Sequence, residues 1–447
     1  MDVLLDQLEA EHAADDRLRF DAVARALLDC LAAYLSELES WLAGRGSRAV
    51  PLHLSAASPS LRTSASIREM VSVRGAFPAC MSASATSWME AGRSCALLTR
   101  LSREAVHRSL APFLLPRRLV DALGDGAAAV DALWRAPAPT VLLTAALTTI
   151  ASDAAAAVGV PMANLLASHT SVRGAIAALR SVFLMTSPTM GAFAAEVFSL
   201  LDAAGGDAKR VPNLTLRFRE HFSGELGEFA DRCLAEIVPA GDLAGTASDA
   251  YYGRINVIMD VPWPGALIVD DARLAVEYRG AQAVLLAMSG ARRGLDAMTV
   301  ARGQKNAATL TRYKARFDML ATIVALQEFY SVGVVRPLCA QADAAFGEAA
   351  NAHDFFRVHE AFVASISERF MLGASQHAAH AALTAMLGVC RRFGDACARE
   401  NMDNDDDVMG KYGAFREHRG QLVAQVQLLS DTTGREHCTK CFLLCVC

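Results

Sequence analysis

The chain has 447 residues, more than one hydrophobic core usually organises, so two or three domains are expected. Hydrophobic residues make up 53% and mean hydropathy is +0.24, but aromatics are only 7%, a balance that favours closely packed, alanine-rich helices. The formal net charge of −5, from 43 basic and 48 acidic side chains, excludes a general nucleic-acid binder, which needs a basic excess or stripe.

The N-terminus, MDVLLDQLEAEH, is acidic and lacks a basic leader, so no secretory signal is read there and a cytosolic chain is expected. Over 21–43, Val23, Leu27, Cys30, Leu31, Tyr34, Leu35, Leu38, Trp41 and Leu42 recur at three- and four-residue steps, with charges opposite, and predict an amphipathic helix closed by Gly44 and Gly46. Residues 47–66 read as a loop, 78–113 as a second helical stretch, and 115–140, with its GDG and PAP turns, as an insertion or linker. Val141–Leu166 is apolar but interrupted by Asp153, Pro161 and Asn164, so it reads as a buried helix of small residues rather than a membrane span.

Helical spacing resumes from 171 to 201 and again over 213–238. In 255–269, INVIMDVPWPGALIV, the alternation of Ile255, Val257 and Met259 is strand-like, yet Pro262 and Pro264 forbid a central strand; one short extended crossing is predicted. Helices follow over 272–302, 306–336, 338–350, 353–374, 376–398 and 412–431, with an acidic loop at 401–411. The predicted fold is all-α, an elongated stack of helical bundles. Bundles with so few convergent polar groups usually present surfaces to partners rather than catalyse.

Three other signals point elsewhere. Asp403, Asp405, Asp406 and Asp407 resemble the aspartate-rich magnesium motif of helical isoprenoid enzymes, but no second acidic cluster faces them, so a solvated loop is preferred. The tail HCTKCFLLCVC places Cys438, Cys441, Cys445 and Cys447 within ten residues; zinc binding and lipidation of the terminal Cys-x-Cys both remain open, as does a divergent end. The seven dispersed cysteines read as small buried hydrophobes, and His359, His377 and His380 as packed or exposed histidines rather than ligands.

Asp260-Val261-Pro262-Trp263-Pro264, followed by Ala266-Leu267-Ile268-Val269, Leu274 and Tyr278, resembles an element of the gamma-tubulin complex component family (Spc97/Spc98-like proteins). That family carries a tyrosine-lysine pair where Met259-Asp260 stands here. The helix RYKARFDMLATIVALQEFYSVGVVRP from Arg312 to Pro337 is similar to the family's long helix. His359, Phe362, Ile366, Phe370 and Leu372 resemble its continuation. Upstream, Tyr34 to Gly44, residues 77–101 with Arg93 for a lysine, and Leu179–Leu201 with Ser187-Pro188-Thr189 for a Gly-Asp show weaker similarity. The chain is short for the family.

The resemblance implies two GRIP-like domains: a partial lateral-assembly domain (GRIP1-like) at 1–165 and a gamma-tubulin-binding domain (GRIP2-like) at 170–435, followed by the Cys-rich tail at 436–447. It implies a non-catalytic scaffold with no cofactor, any GTP belonging to gamma-tubulin, and a place at a microtubule organising centre, spindle pole or basal body. Its partners would be gamma-tubulin and neighbouring complex components. Lys305, Arg312, Lys314, Arg316, Arg391 and Arg392 are the candidate tubulin contacts, and Pro262, Trp263, Pro264, Tyr278, Phe329 and Tyr330 the candidate structural anchors. A helical adaptor for another client is the rival reading.

Overall fold

A computed structural model describes residues 1–43, 52–54, 71–73, 77–101, 114–204, 210–237, 255–260, 264–265, 277–298, 307–349, 351–398, 405–433 and 442. The fold is mostly helical, as the hydrophobic periodicity predicts, and the described strands form two small antiparallel pairs. The chain divides into two compact units: Met1–His169 with Ala345–Val358, and Thr170–Ala344 with His359–Cys447.

Unit 1 opens with α1 (Asp2–Ala13) and α2 (Arg17–Leu42), joined through Asp15 in the left-handed region at φ 56. The Asp16 carboxylate accepts from the Arg19 backbone N–H at 3.2 Å, satisfying one of the free donors at the start of α2. Leu27, Leu31, Leu35, Leu38 and Trp41 then line one buried stripe of α2. Residues 52–54, expected in a loop, instead form β1 (Leu52–Leu54), antiparallel to β2 (Val71–Val73). A 3-10 segment leads into α3 (Ala85–Leu101). The predicted closing glycines Gly44 and Gly46 lie outside the described residues.

The linker expected over 115–140 is helical. α4 (Leu115–Leu123) and α5 (Gly126–Arg135) bury Leu115, Leu119, Val130 and Leu133, and the GDG motif is a tight turn between them. Gly124 takes φ 92 there, a conformation that only glycine adopts easily. α6 (Pro139–Ser168) runs through Pro161 without ending, with Asp153 exposed. It is only half a core helix: Leu143, Leu147, Ile150 and Val158 are buried, whereas Val141 and Val160 are exposed.

In unit 2, α7 (Thr170–Ala178) widens into a π-turn at Leu179–Phe183, and α8 (Pro188–Ala203) starts where Ser187 accepts from Thr189 N–H. The next predicted helix stops early. α9 (Leu214–Leu226) ends at Gly227, φ 54 and ψ −130, and after a single turn the chain enters β3 (Cys233–Ile237). Cys233 and Ala235 are buried and Leu234 exposed, a period of two that replaces the helical one. The extended crossing is β4 (Ile255–Met259), antiparallel to β3 with Cys233 opposite Met259.

Six α-helices follow among the described residues: α10 (Arg279–Asp296), α11 (Ala307–Glu328) with a π-segment at Phe329–Val335, α12 (Arg336–Glu348), α13 (Ala352–Arg369), α14 (His377–Ala398) and α15 (Asp405–Thr433). α12 and α13 carry the chain into unit 1 at Ala345–Val358 and back. Of the acidic stretch expected as a loop over 401–411, residues 405–411 instead begin α15, consistent with the preference of carboxylates for the first turn of a helix, and 401–404 with Asp403 lie outside the described residues.

Candidate protein-binding surface

The five described basic candidates fall on two elements and have different environments. Lys305 lies outside the described residues; Arg312, Lys314 and Arg316 stand on α11, and Arg391 and Arg392 on α14. Arg316 Nε donates to the Leu295 carbonyl at 2.7 Å, and its Nη2 lies 3.8 Å from Asp296 Oδ1. It therefore adds a short donor to a carbonyl in the last turn of α10 whose backbone bond from Met298 N–H is long, at 3.4 Å. Arg391 pairs with Asp395 one turn on, at 3.5 Å, with its side chain 15% exposed. Arg312 and Arg392 are half-buried, and Lys314 is exposed. Arg316 and Arg391 thus serve helix ends and helix faces, and the five do not form one open basic face among the described residues.

The end of α10 is a charged junction. Arg292 bridges to Asp296 at 3.5 Å and Arg293 to Asp202 at 3.6 Å. Burial pushes the Asp202 carboxyl up, against the opposing pull of Arg293 and Arg391. α10 and α14 cross here with backbones in contact: a Cβ on Gly394 would fall well inside van der Waals distance of the Gly294 backbone.

The anchor residues are buried where described. Tyr278 is 2% exposed, its hydroxyl 3.1 Å from His359 Nε2 and its ring edge-on to Phe183 at 6.0 Å. Burial drives its ionisation far above the ordinary tyrosine range, so it stays neutral. His359 is accordingly a packed histidine. Arg180 lies 5.6 Å over the Phe362 ring and bridges to Asp343 at 2.7 Å. Tyr330 stacks on Phe370 at 4.6 Å, beside Phe329. Pro264 is buried, and the neighbouring Gly265 N–H donates to Ser171 Oγ at 3.3 Å. Pro262 and Trp263 lie outside the described residues.

The tail has a folded point that its composition did not reveal. Phe442 is 2% exposed and stands edge-on to Phe329 at 5.2 Å. Cys438, Cys441, Cys445 and Cys447 lie outside the described residues. Among the described residues no group of three His, Cys, Asp or Glu side chains is placed to hold a metal ion. Burial pushes the thiols of Cys95 and Cys233 up to about 12 and that of Cys390 still higher, as for packed apolar groups. Cys30 departs from that expectation: it is exposed.

Sequence reading passed over a row on α11. Leu310 is 58% exposed, Phe317 75%, Val324 39% and, in the π-segment, Val332 50%. Its signal was the seven-residue spacing of Leu310, Phe317 and Val324, on the face away from Met319, Ile323 and Leu326. By length and apolarity alone, α6 and the Thr309–Glu348 run would each suffice to cross a membrane; 33% and 44% of their most apolar windows are buried.

The described anchor residues are thus buried, while a row of apolar side chains on α11 stays exposed. Residues 256–443 match the family model described as gamma tubulin complex component C-terminal, and this stretch of the chain is a gamma tubulin complex component C-terminal domain. No curated protein matches the chain.

Proposed function

We propose that the chain is a non-catalytic scaffold that binds gamma-tubulin through residues 170–435 and supports microtubule nucleation at an organising centre. The observation that carries this reading is the family match over 256–443, which falls in unit 2 except for Ala345–Val358. The chemistry is multivalent positioning. Single tubulin–tubulin contacts are weak, and holding several gamma-tubulins in register removes much of the association entropy that a nucleus must otherwise overcome. Residues 1–165 would then pack sideways against neighbouring components. Of the six basic candidates, exposed Lys314 is the best placed to meet an acidic partner surface.

The test is direct: purified full-length chain is mixed with gamma-tubulin and followed by analytical ultracentrifugation. A complex of one chain with one gamma-tubulin is expected. Independent sedimentation of the two at micromolar concentration would overturn the reading and favour a helical adaptor for another client.

A further inference from the structure

The solvent-facing row of α11 has an internal symmetry. From 310 to 333 its exposed positions are Leu310, Thr311, Lys314, Phe317, Ala321, Val324, Glu328, Ser331, Val332 and Gly333. Only two of these carry charge, and the charges are opposite. Lys314 and Glu328 each lie seven residues from Ala321, on either side; Leu310 and Val332 each lie eleven residues from it. Phe317, four residues before Ala321, mirrors the half-buried Ala325, which neighbours Val324. Ala321, at the centre, is the small residue that a close helix crossing needs.

We propose that this face is an isologous interface, on which a second copy of the chain lays the same helix antiparallel across a two-fold axis at Ala321. The symmetry sets Lys314 against Glu328 of the copy, and Glu328 against its Lys314. Leu310 meets the copy's Val332 at each end, and Phe317 lies over the copy's Ala325 and Val324. A two-fold interface must be complementary to itself, and a surface with one central small residue, opposite charges at equal distances and apolar ends meets that requirement. Lys314 and Glu328 are about 21 Å apart along the axis at 1.5 Å per residue, so only the antiparallel arrangement satisfies both at once. The rest of α11 is engaged within its own unit. Asp318 accepts from Tyr412 Oη at 2.8 Å and from Arg419 Nη1 at 2.9 Å, and Gln327 accepts from Arg292 at 3.1 Å, which fixes the helix and leaves its outer face presented. The inference does not depend on gamma-tubulin binding; the shared Lys314 means that a copy and a tubulin using this face would compete.

The experiment is sedimentation velocity on the full chain, over roughly 1–100 µM. A concentration-dependent dimer is expected. Phe317→Glu should raise its dissociation constant at least tenfold without changing the circular dichroism spectrum, since the side chain is solvent-facing. Lys314→Glu and Glu328→Lys should each weaken it several-fold, and the double reversal should restore it, because only that variant re-forms opposite pairs. Ala321→Cys, on the axis, should oxidise to a disulfide-linked dimer when the unsubstituted chain does not. A monomer across the range, a double reversal no better than either single change, or no cross-link at position 321 would each overturn the proposal. So would a monomeric chain whose capture of gamma-tubulin is abolished by Phe317→Glu, an outcome that assigns the face to tubulin while leaving the scaffold reading intact.

Discussion

In unit 1, α2 and α3 close on each other where the outer edge of the Trp41 indole fills the place of a Gly92 side chain, whereas in unit 2, α10 and α14 close where Gly394 rests on the backbone of Gly294. Both arrangements use the missing side chain of glycine to bring helices together. They differ in what can yield. An indole can swing by tens of degrees if its surroundings repack, but a helix backbone bound into its own hydrogen-bond ladder cannot move without shifting the whole helix. The unit 2 crossing is therefore the stiffer constraint and admits fewer sequences. It also lies inside the stretch that matches the family, and the unit 1 contact lies outside it.

The largest expected effect comes from breaking the stiffer side. Gly394→Ala places a methyl group against the carbonyl carbon and oxygen of Gly294. Alanine's helix propensity returns about 1 kcal/mol, but displacing a backbone costs more, and a net loss of about 3 kcal/mol or greater is expected. Hydrogen exchange should show lost protection over 279–296 and 377–398, with α2 and α3 unchanged. Unaltered exchange in α10 and α14 would refute the backbone contact. Gly92→Ala makes the same insertion against an indole that is 2% exposed, and should cost about 1–3 kcal/mol. The paired variant Gly92→Ala with Trp41→Phe sharpens the contrast, because a smaller ring should recover part of that loss. No such relief is available at Gly394.

These two sites also show what was legible in the chain. Apolar spacing gave the helices, including the Trp41 stripe of α2 and the long α11, because a buried face imposes its period on the residues themselves. What stayed hidden depended on contacts distant in sequence. Nothing local to Cys233–Ile237 distinguishes a strand from the end of a helix until β4 supplies the hydrogen bonds. The 115–140 stretch looked like a linker because GDG and PAP are turn signals, yet the helices between them are set by Leu119, Val130 and Leu133 packing into unit 1. Among the candidate site residues, charge alone could not separate Arg316, committed to the Leu295 carbonyl, from Lys314, which faces solvent.

A smaller effect is expected where the matched region keeps a polar group in its core. Tyr278→Phe removes the hydroxyl that meets His359 at 3.1 Å but keeps the ring against Phe183. A loss of about 1–2 kcal/mol is expected by denaturant titration, below either glycine substitution. A loss equal to that of Gly394→Ala would mean that the polar pair, rather than the backbone crossing, holds the unit together.

The smallest effect is electrostatic and lies away from both crossings, between α8 and α9. Glu196 accepts from His221 Nε2 at 2.7 Å and pairs with Arg217. The bond from His221 is the main reason its carboxyl is held below the ordinary glutamate range, with Arg217 adding to the pull. A carboxyl acidified on folding stabilises the folded chain above its unfolded pKa of about 4.3, and that contribution disappears as pH falls through its lower folded value. With the Glu196 side chain 34% exposed, solvent screening limits the contribution to under about 1 kcal/mol. Glu196→Gln should therefore lower stability slightly at pH 7 and converge with the parent chain as the medium is acidified below pH 4. A difference that grows with acid would show that the carboxylate is strained rather than stabilised by Arg217 and the hydrogen bond from His221.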